Sequence, residues 1–138
     1  MLTTSFPRFE GDIPGRFVYD LAAALATAGN RVTVLAACYP GTPREQQIGP
    51  VRVVRIGRFL PNILRISPRS SALRQVRETG IGKLRIIILF VLQVFYAVKI
   101  ARDIEVDVLH SHWLLPQGLS GSLAALLLRR MKTVSYTH

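Results

Sequence analysis

Gly29-Asn30-Arg31-Val32-Thr33-Val34-Leu35-Ala36-Ala37 decides how the rest of the chain is read. Gly29-Asn30 is a pair that ends helices, because these residues accept the left-handed turn that closes a last helical turn. Val32 to Ala37 follows at once, a nearly continuous apolar run of strand length. A strand apolar on successive residues is covered on both faces, as in parallel sheets flanked by helices.

Upstream, Phe17, Leu21, Leu25 and Ala28 recur at helical spacing, and Ala22, Ala23, Ala24 and Ala26 raise helix propensity. Pro7 to Pro14 reads as loop, with Gly11, Asp12, Pro14 and Gly15 as turn residues, and Leu2 to Phe6 as the end of a short first strand. Downstream, Gly41 to Pro50 reads as a polar, breaker-rich loop, and Val51, Val53, Val54 and Ile56 as a third strand. Residues 58–82 read as loop with one short helix near Ala72 to Glu78. Lys83 to Arg102 reads as a long helix, Val106 to His110 as a buried strand, Gly118 to Arg130 as a helix and Thr133 to Thr137 as a last strand. The order β-α-β-β-α-β-α-β implies a Rossmann-like open α/β fold: a mostly parallel sheet with helices on both faces.

The chain has 138 residues, enough for one ordinary core and short for two domains. An apolar fraction of 49% excludes a disordered polymer. Cys38 alone excludes a disulfide framework or a multi-thiolate metal site and fits a reducing compartment; it reads as a small buried apolar residue. The N-terminus has no basic, then apolar, leader pattern. Ile86 to Val98 is the densest apolar run, shorter than the roughly 18 residues a span needs and flanked by Arg85 and Lys99.

The formal net charge is +10, and its excess is local. Eleven of the 18 basic residues lie between Arg52 and Arg102, against Glu78 as the single acid there. A uniformly basic nucleic-acid coat is therefore a poor description. Basic residues beside apolar surface favour anionic lipid, so residues 65–102 are a candidate membrane contact; the alternative is a core crossover helix with solvated arginines. Nucleic acid is not an expected partner, since no helix-turn-helix, zinc or RNP pattern accompanies the arginines.

In open α/β sheets ligands bind beyond the carboxyl ends of the strands. Gly11, Asp12 and Gly15 stand at one such end, before a helix start that suits phosphate. His110-Ser111-His112-Trp113 and Pro116-Gln117-Gly118 stand at another, and His138 at a third. The glycines do not follow G-x-G-x-x-G, the second strand ends Ala36-Ala37-Cys38-Tyr39 with no acid for an NAD ribose, and there is no Walker A lysine. A nicotinamide-linked oxidoreductase is thereby weakened, and a plain glycine turn stays open. His110 and His112, two apart on a strand, point the same way. With His138 they could form a zinc site, they could be structural, or one could contact a polar substrate. Trp113 reads either as core or as a sugar-stacking platform.

These segments together resemble the N-terminal domain of glycosyltransferase subfamily 4. The phrases are Thr4-Ser5-Phe6-Pro7-Arg8, Gly11-Asp12, Gly15-x-Phe17-Val18-x-Asp20-Leu21-Ala22 and Ala28 to Ala36, then Asp107 to Trp113, Pro116-x-Gly118 and Val134 to His138. The resemblance covers roughly residues 3–57 and 104–138 and fades between. It implies a GT-B enzyme that moves a sugar, of hexosyl type, from a nucleotide-sugar donor to a glycan or lipid-linked acceptor with retention of configuration. No cofactor and no bound metal is implied. By the resemblance, Gly11, Asp12 and Gly15 form the loop that reaches the donor pyrophosphate. His138 is the catalytic residue beside the reacting sugar, and His110, His112, Trp113 and Gly118 shape the acceptor cleft. Polysaccharide biosynthesis is the implied setting, in the cytoplasm or peripheral on the inner membrane face. The alternative is a basic membrane- or nucleic-acid-binding module without catalysis.

The resemblance leads to the expectation that the family's second Rossmann domain, with its donor-binding glutamate pair, is lacking after His138. Residues 1–138 are thus expected to be one incomplete, acceptor-side domain. The purified 138-residue chain is predicted to transfer no sugar from nucleotide-sugar donors, and measurable transfer by it would refute this.

Overall fold

In the computed structural model the chain is described over residues 1–57, 80–128 and 132–136. The helix expected before Gly29 forms as α1 (Arg16–Thr27), burying Val18 and Ala22. It ends as its sequence demands: the Gly29 amide donates to the Ala26 carbonyl at 3.0 Å and the Asn30 amide to Leu25 at 3.2 Å. The apolar run becomes β1 (Thr33–Ala37), with Val34 to Ala37 all buried. It pairs in parallel with β3 (Val51–Ile56), Val34 opposite Val53 and Ala36 opposite Arg55.

Gly41 to Pro50 is not all loop. Glu45–Ile48 forms β2, antiparallel to β3, with Gln46 opposite Val53 and Ile48 opposite Val51. Its polar composition conceals it because β2 is a sheet edge: only Ile48 enters the core, and Gly49-Pro50 turns the chain back. The short helix expected near Ala72 to Glu78 lies outside the described residues.

Helix α2 (Gly80–Asp103) starts before the expected Lys83. Leu89, Gln93, Ala97 and Ala101, four apart, form its buried side. At its end the Val106 amide still donates to the Ala101 carbonyl, and Glu105 takes φ 48°. That closure delays the next strand, β4, to Val108–His112, two residues later than expected. A short helical turn (Leu114–Gly118) leads into α3 (Leu119–Leu128), and β5 (Lys132–Tyr136) pairs in parallel with β4.

The first strand is reduced to a bridge. Leu2 pairs in parallel with both Leu35 and Ser111, so Met1–Thr3 lies between β1 and β4. Across the sheet the order is β2, β3, β1, Met1–Thr3, β4, β5, with β2 alone antiparallel. This is the Rossmann-like, mostly parallel α/β architecture expected from the sequence.

The strands feed two cores because alternate side chains point to opposite faces. Phe6, Val18, Ala22, Val34, Val51 and Val53 pack under α1. Leu2, Leu35, Val54, Leu89, Leu109 and Ala124 pack under α2 and α3. Gly121 lets α3 approach the second face: a Cβ there would stand 2.3 Å from Ser111 Oγ and 3.4 Å from Leu2 Cδ1. Gly121→Ala should lower unfolding free energy by about 1–3 kcal/mol through overpacking, despite alanine's helix preference. Ser111→Ala in the same chain should recover part of that loss. Urea unfolding of the two variants checks both statements.

Candidate functional site

The loop after Met1–Thr3 is held by one carboxylate. Asp12, buried, accepts from the Arg8 amide at 2.9 Å, Arg8 Nε at 2.7 Å, Arg8 Nη2 at 2.9 Å and the Ile13 amide at 3.1 Å. The Arg8 hydrogen bond comes first in pulling the Asp12 carboxyl from 3.8 down to about 2, with burial opposing. Asp12 is therefore occupied in shaping the loop.

The two glycines of this loop serve different ends. Gly15 takes φ 72° and lies against the preceding segment, where a Cβ would stand 2.4 Å from the Ser5 carbonyl oxygen. Its carbonyl accepts the Val18 amide at 3.0 Å, so the turn feeds directly into α1. Gly11 also has positive φ, but a Cβ there would meet nothing within 4 Å. The backbone at Gly11 thus faces open space, while Gly15 answers to packing.

Arg55 is the residue that sequence reasoning missed. Counted there with the basic surplus, it is 2% exposed on β3. Its guanidinium donates to the Pro7 carbonyl, at the loop's start, and to the Ala37 carbonyl at 3.4 Å, and lies 5.7 Å over the Tyr39 ring. Burial disfavours its charge. The signal was present: an arginine inside an apolar strand either breaks the strand or is anchored. Cys38, expected to be buried, is half-buried, with Sγ 3.5 Å from the Tyr39 carbonyl oxygen.

On β4, His110 and His112 do face the same way, their rings stacked at 4.7 Å and 10°. His112 is buried and His110 half-buried, and burial lowers the His110 pKa. His110 thus favours the neutral imidazole, a donor and an acceptor at once. Phe17, two residues into the α1 side of the glycine loop, lies edge-on to His112 at 6.0 Å and to Trp113 at 6.5 Å. The loop and the end of β4, nearly a hundred residues apart, therefore meet. Trp113 is not core: its side chain is 41% exposed at the carboxyl edge. Gly118 is buried, its amide donating to the Trp113 carbonyl at 3.0 Å, so it tightens the turn and offers no open surface. Gln117 beside it is wholly buried, its amide without a partner among the described residues, and was also missed.

His138 lies outside the described residues, and with it the three-histidine alternative. Among the described residues no group of three His, Cys, Asp or Glu side chains is placed to hold a metal ion. A cavity of about 710 Å³ opens at the opposite, amino edge, between Thr33, Val108 and α2's Ala97 and Ala101. His110 lines this cavity, whereas Phe17, His112, Trp113 and the glycine loop do not, and ligands of open α/β sheets bind at the carboxyl edge.

Asp12 yields a pH prediction. A carboxyl whose folded pKa is depressed stabilises above its unfolded value near 4, and that stability disappears as pH falls through about 2. Asp12→Asn should be less stable than the parent at pH 7, and the gap should close between pH 4 and pH 2. Denaturant midpoints across that range measure it, and a gap independent of pH would contradict the assignment.

No curated protein matches the chain. The sequence model of Glycosyltransferase Family 4 matches residues 14–138, from just before Gly15 through the segment where individual phrases fade, and so the chain belongs to glycosyltransferase family 4.

Proposed function

We propose that this domain holds the acceptor side of a retaining hexosyl transfer from a nucleotide-sugar donor to a glycan or lipid-linked acceptor. The bond between the sugar's anomeric carbon and the nucleotide diphosphate breaks. The bond to an acceptor hydroxyl forms on the same face, and the hydroxyl proton leaves with the diphosphate. The observation that carries the reading is the meeting of the glycine loop with β4 through Phe17, His112 and Trp113. It brings a phosphate-suited backbone and an exposed aromatic face to one edge.

Within this reading the residues divide the work. The open backbone at Gly11 lets amides approach the donor pyrophosphate, while Asp12 and Gly15 hold the loop's shape. Trp113 offers its ring to the apolar face of an acceptor sugar, and His110, as the neutral imidazole, hydrogen-bonds a hydroxyl. His112 and Gly118 form the wall behind them. His138 is the residue proposed to act at the reacting centre. The donor's nucleotide is held mainly by a second domain in the family's manner. A setting in polysaccharide synthesis, peripheral on the inner membrane face, fits a lipid-linked acceptor.

Steady-state kinetics of the enzyme containing this domain test the proposal. Trp113→Ala should raise the acceptor KM while leaving the donor KM near its parent value. His138→Ala should lower kcat by roughly 10²-fold or more, the scale of an acid-base or charge-stabilising group. An unchanged acceptor KM in the first variant, with full kcat in the second, would remove the site from this edge.

A further inference from the structure

Helix α2 is divided lengthwise. Leu89, Gln93, Ala97 and Ala101 lie against the sheet and α3, and the opposite side carries Leu84, Ile87, Val91 and Phe95, three or four residues apart. Each of these four is more than half exposed. Seven residues past Phe95, Arg102 continues the same line, and Lys99 flanks it, both exposed. On α3, packed beside α2 on the same sheet face, Leu126 is 71% exposed. The other sheet face differs, since α1 turns Arg16, Asp20, Ala24 and Thr27 outward.

A helix apolar on all sides is ordinarily buried on all sides. Among the described residues no helix is long and apolar enough to cross a membrane. An apolar face that does not cross a membrane and that no described residue covers suits a surface contact. Charge selects the surface. Arg58, Arg65, Arg69, Arg74, Arg77, Lys83 and Arg85 lead into the stripe with Glu78 as the only acid among them. A second copy of this chain would add two more cations, its own Lys99 and Arg102, to the same contact, whereas an anionic leaflet satisfies the apolar stripe and these cations together.

We propose that the outer face of α2, Leu84, Ile87, Val91 and Phe95, docks the protein on an anionic lipid surface without spanning it. The proposal rests on the peripheral-membrane reading above and gives that reading a surface. Helix α2 is thus a core crossover helix and a lipid contact at once, since the two uses fall on opposite sides of it.

The test is sedimentation of the purified protein with vesicles of phosphatidylcholine alone and of equimolar phosphatidylcholine and phosphatidylglycerol. The parent should bind the anionic vesicles, bind the neutral ones weakly, and lose affinity as salt rises. Val91→Glu with Phe95→Glu should weaken anionic-vesicle binding at least about tenfold, the scale set by losing a buried aromatic and aliphatic pair. Val91→Ser with Phe95→Ser should also weaken it, separating apolar contact from charge and covering a folding failure of the glutamate pair. Ala24→Glu with Thr27→Glu makes the same charge change on α1 and should bind as the parent does. Failure of the parent to bind anionic vesicles would overturn both the face and the membrane reading. Parent binding that the α2 variants leave intact would overturn the face alone. A parent dimer that the α2 variants split would assign the face to a second copy and overturn the proposal. Sugar transfer to a water-soluble acceptor by the enzyme containing this domain, followed separately, reports on the chemistry and should not change when that enzyme carries the α2 substitutions.

Discussion

Three residues hold the two halves of this sheet together. The Leu2 amide donates to the His110 carbonyl at 2.7 Å, and the Leu2 carbonyl accepts the His112 amide at 2.9 Å. On the other side the Met1 carbonyl accepts the Leu35 amide at 2.8 Å and the Thr3 amide donates to Leu35 at 3.0 Å. Without this bridge, β2-β3-β1 and β4-β5 are separate hydrogen-bonded groups. Backbone pairing has a fixed register, so the bridge also sets how far the two groups advance toward the carboxyl edge. The Phe17 contacts with His112 and Trp113 depend on that alignment.

The same edge shows how the chain deals with polar groups it cannot leave in water. Arg55 takes a full charge into β3, and its cost is offset by two backbone carbonyls and an aromatic ring. The bond to Pro7 makes the buried cation a strut between the sheet and the glycine loop. Asp12 repeats the device from within the loop, binding Arg8 through two nitrogens of one guanidinium and a third through the backbone. Loop geometry here is therefore set by charged side chains, and the glycine at position 11 remains unobstructed.

Periodicity made α1 readable, because its apolar residues repeat at helical spacing, while β1, β3 and α2 were readable as apolar runs of strand or helix length. It failed at β2, where an edge strand buries one side chain and reads as polar. It placed β4 two residues early, since Val106 is apolar but is spent closing α2. Of the candidate site, the same-facing histidines were legible from a period of two. The role of Asp12, the exposure of Trp113 and the anchoring of Arg55 were not, for each depends on a neighbour distant in sequence or on a loop's path.

The sequence by itself determined the α/β alternation, the parallel sheet, the helix stop at Gly29-Asn30, the family and the localisation of charge before and within α2. These follow from local propensity, apolar spacing and the order of short phrases, which need no knowledge of distance. Tertiary structure alone decided which arginine is buried, which glycine is open and which side of an evenly apolar helix faces out. The physical reason is common to all three. Burial and contact are properties of pairs brought together by the sheet, and a helix apolar on every side carries no pattern that says which side the sheet will take.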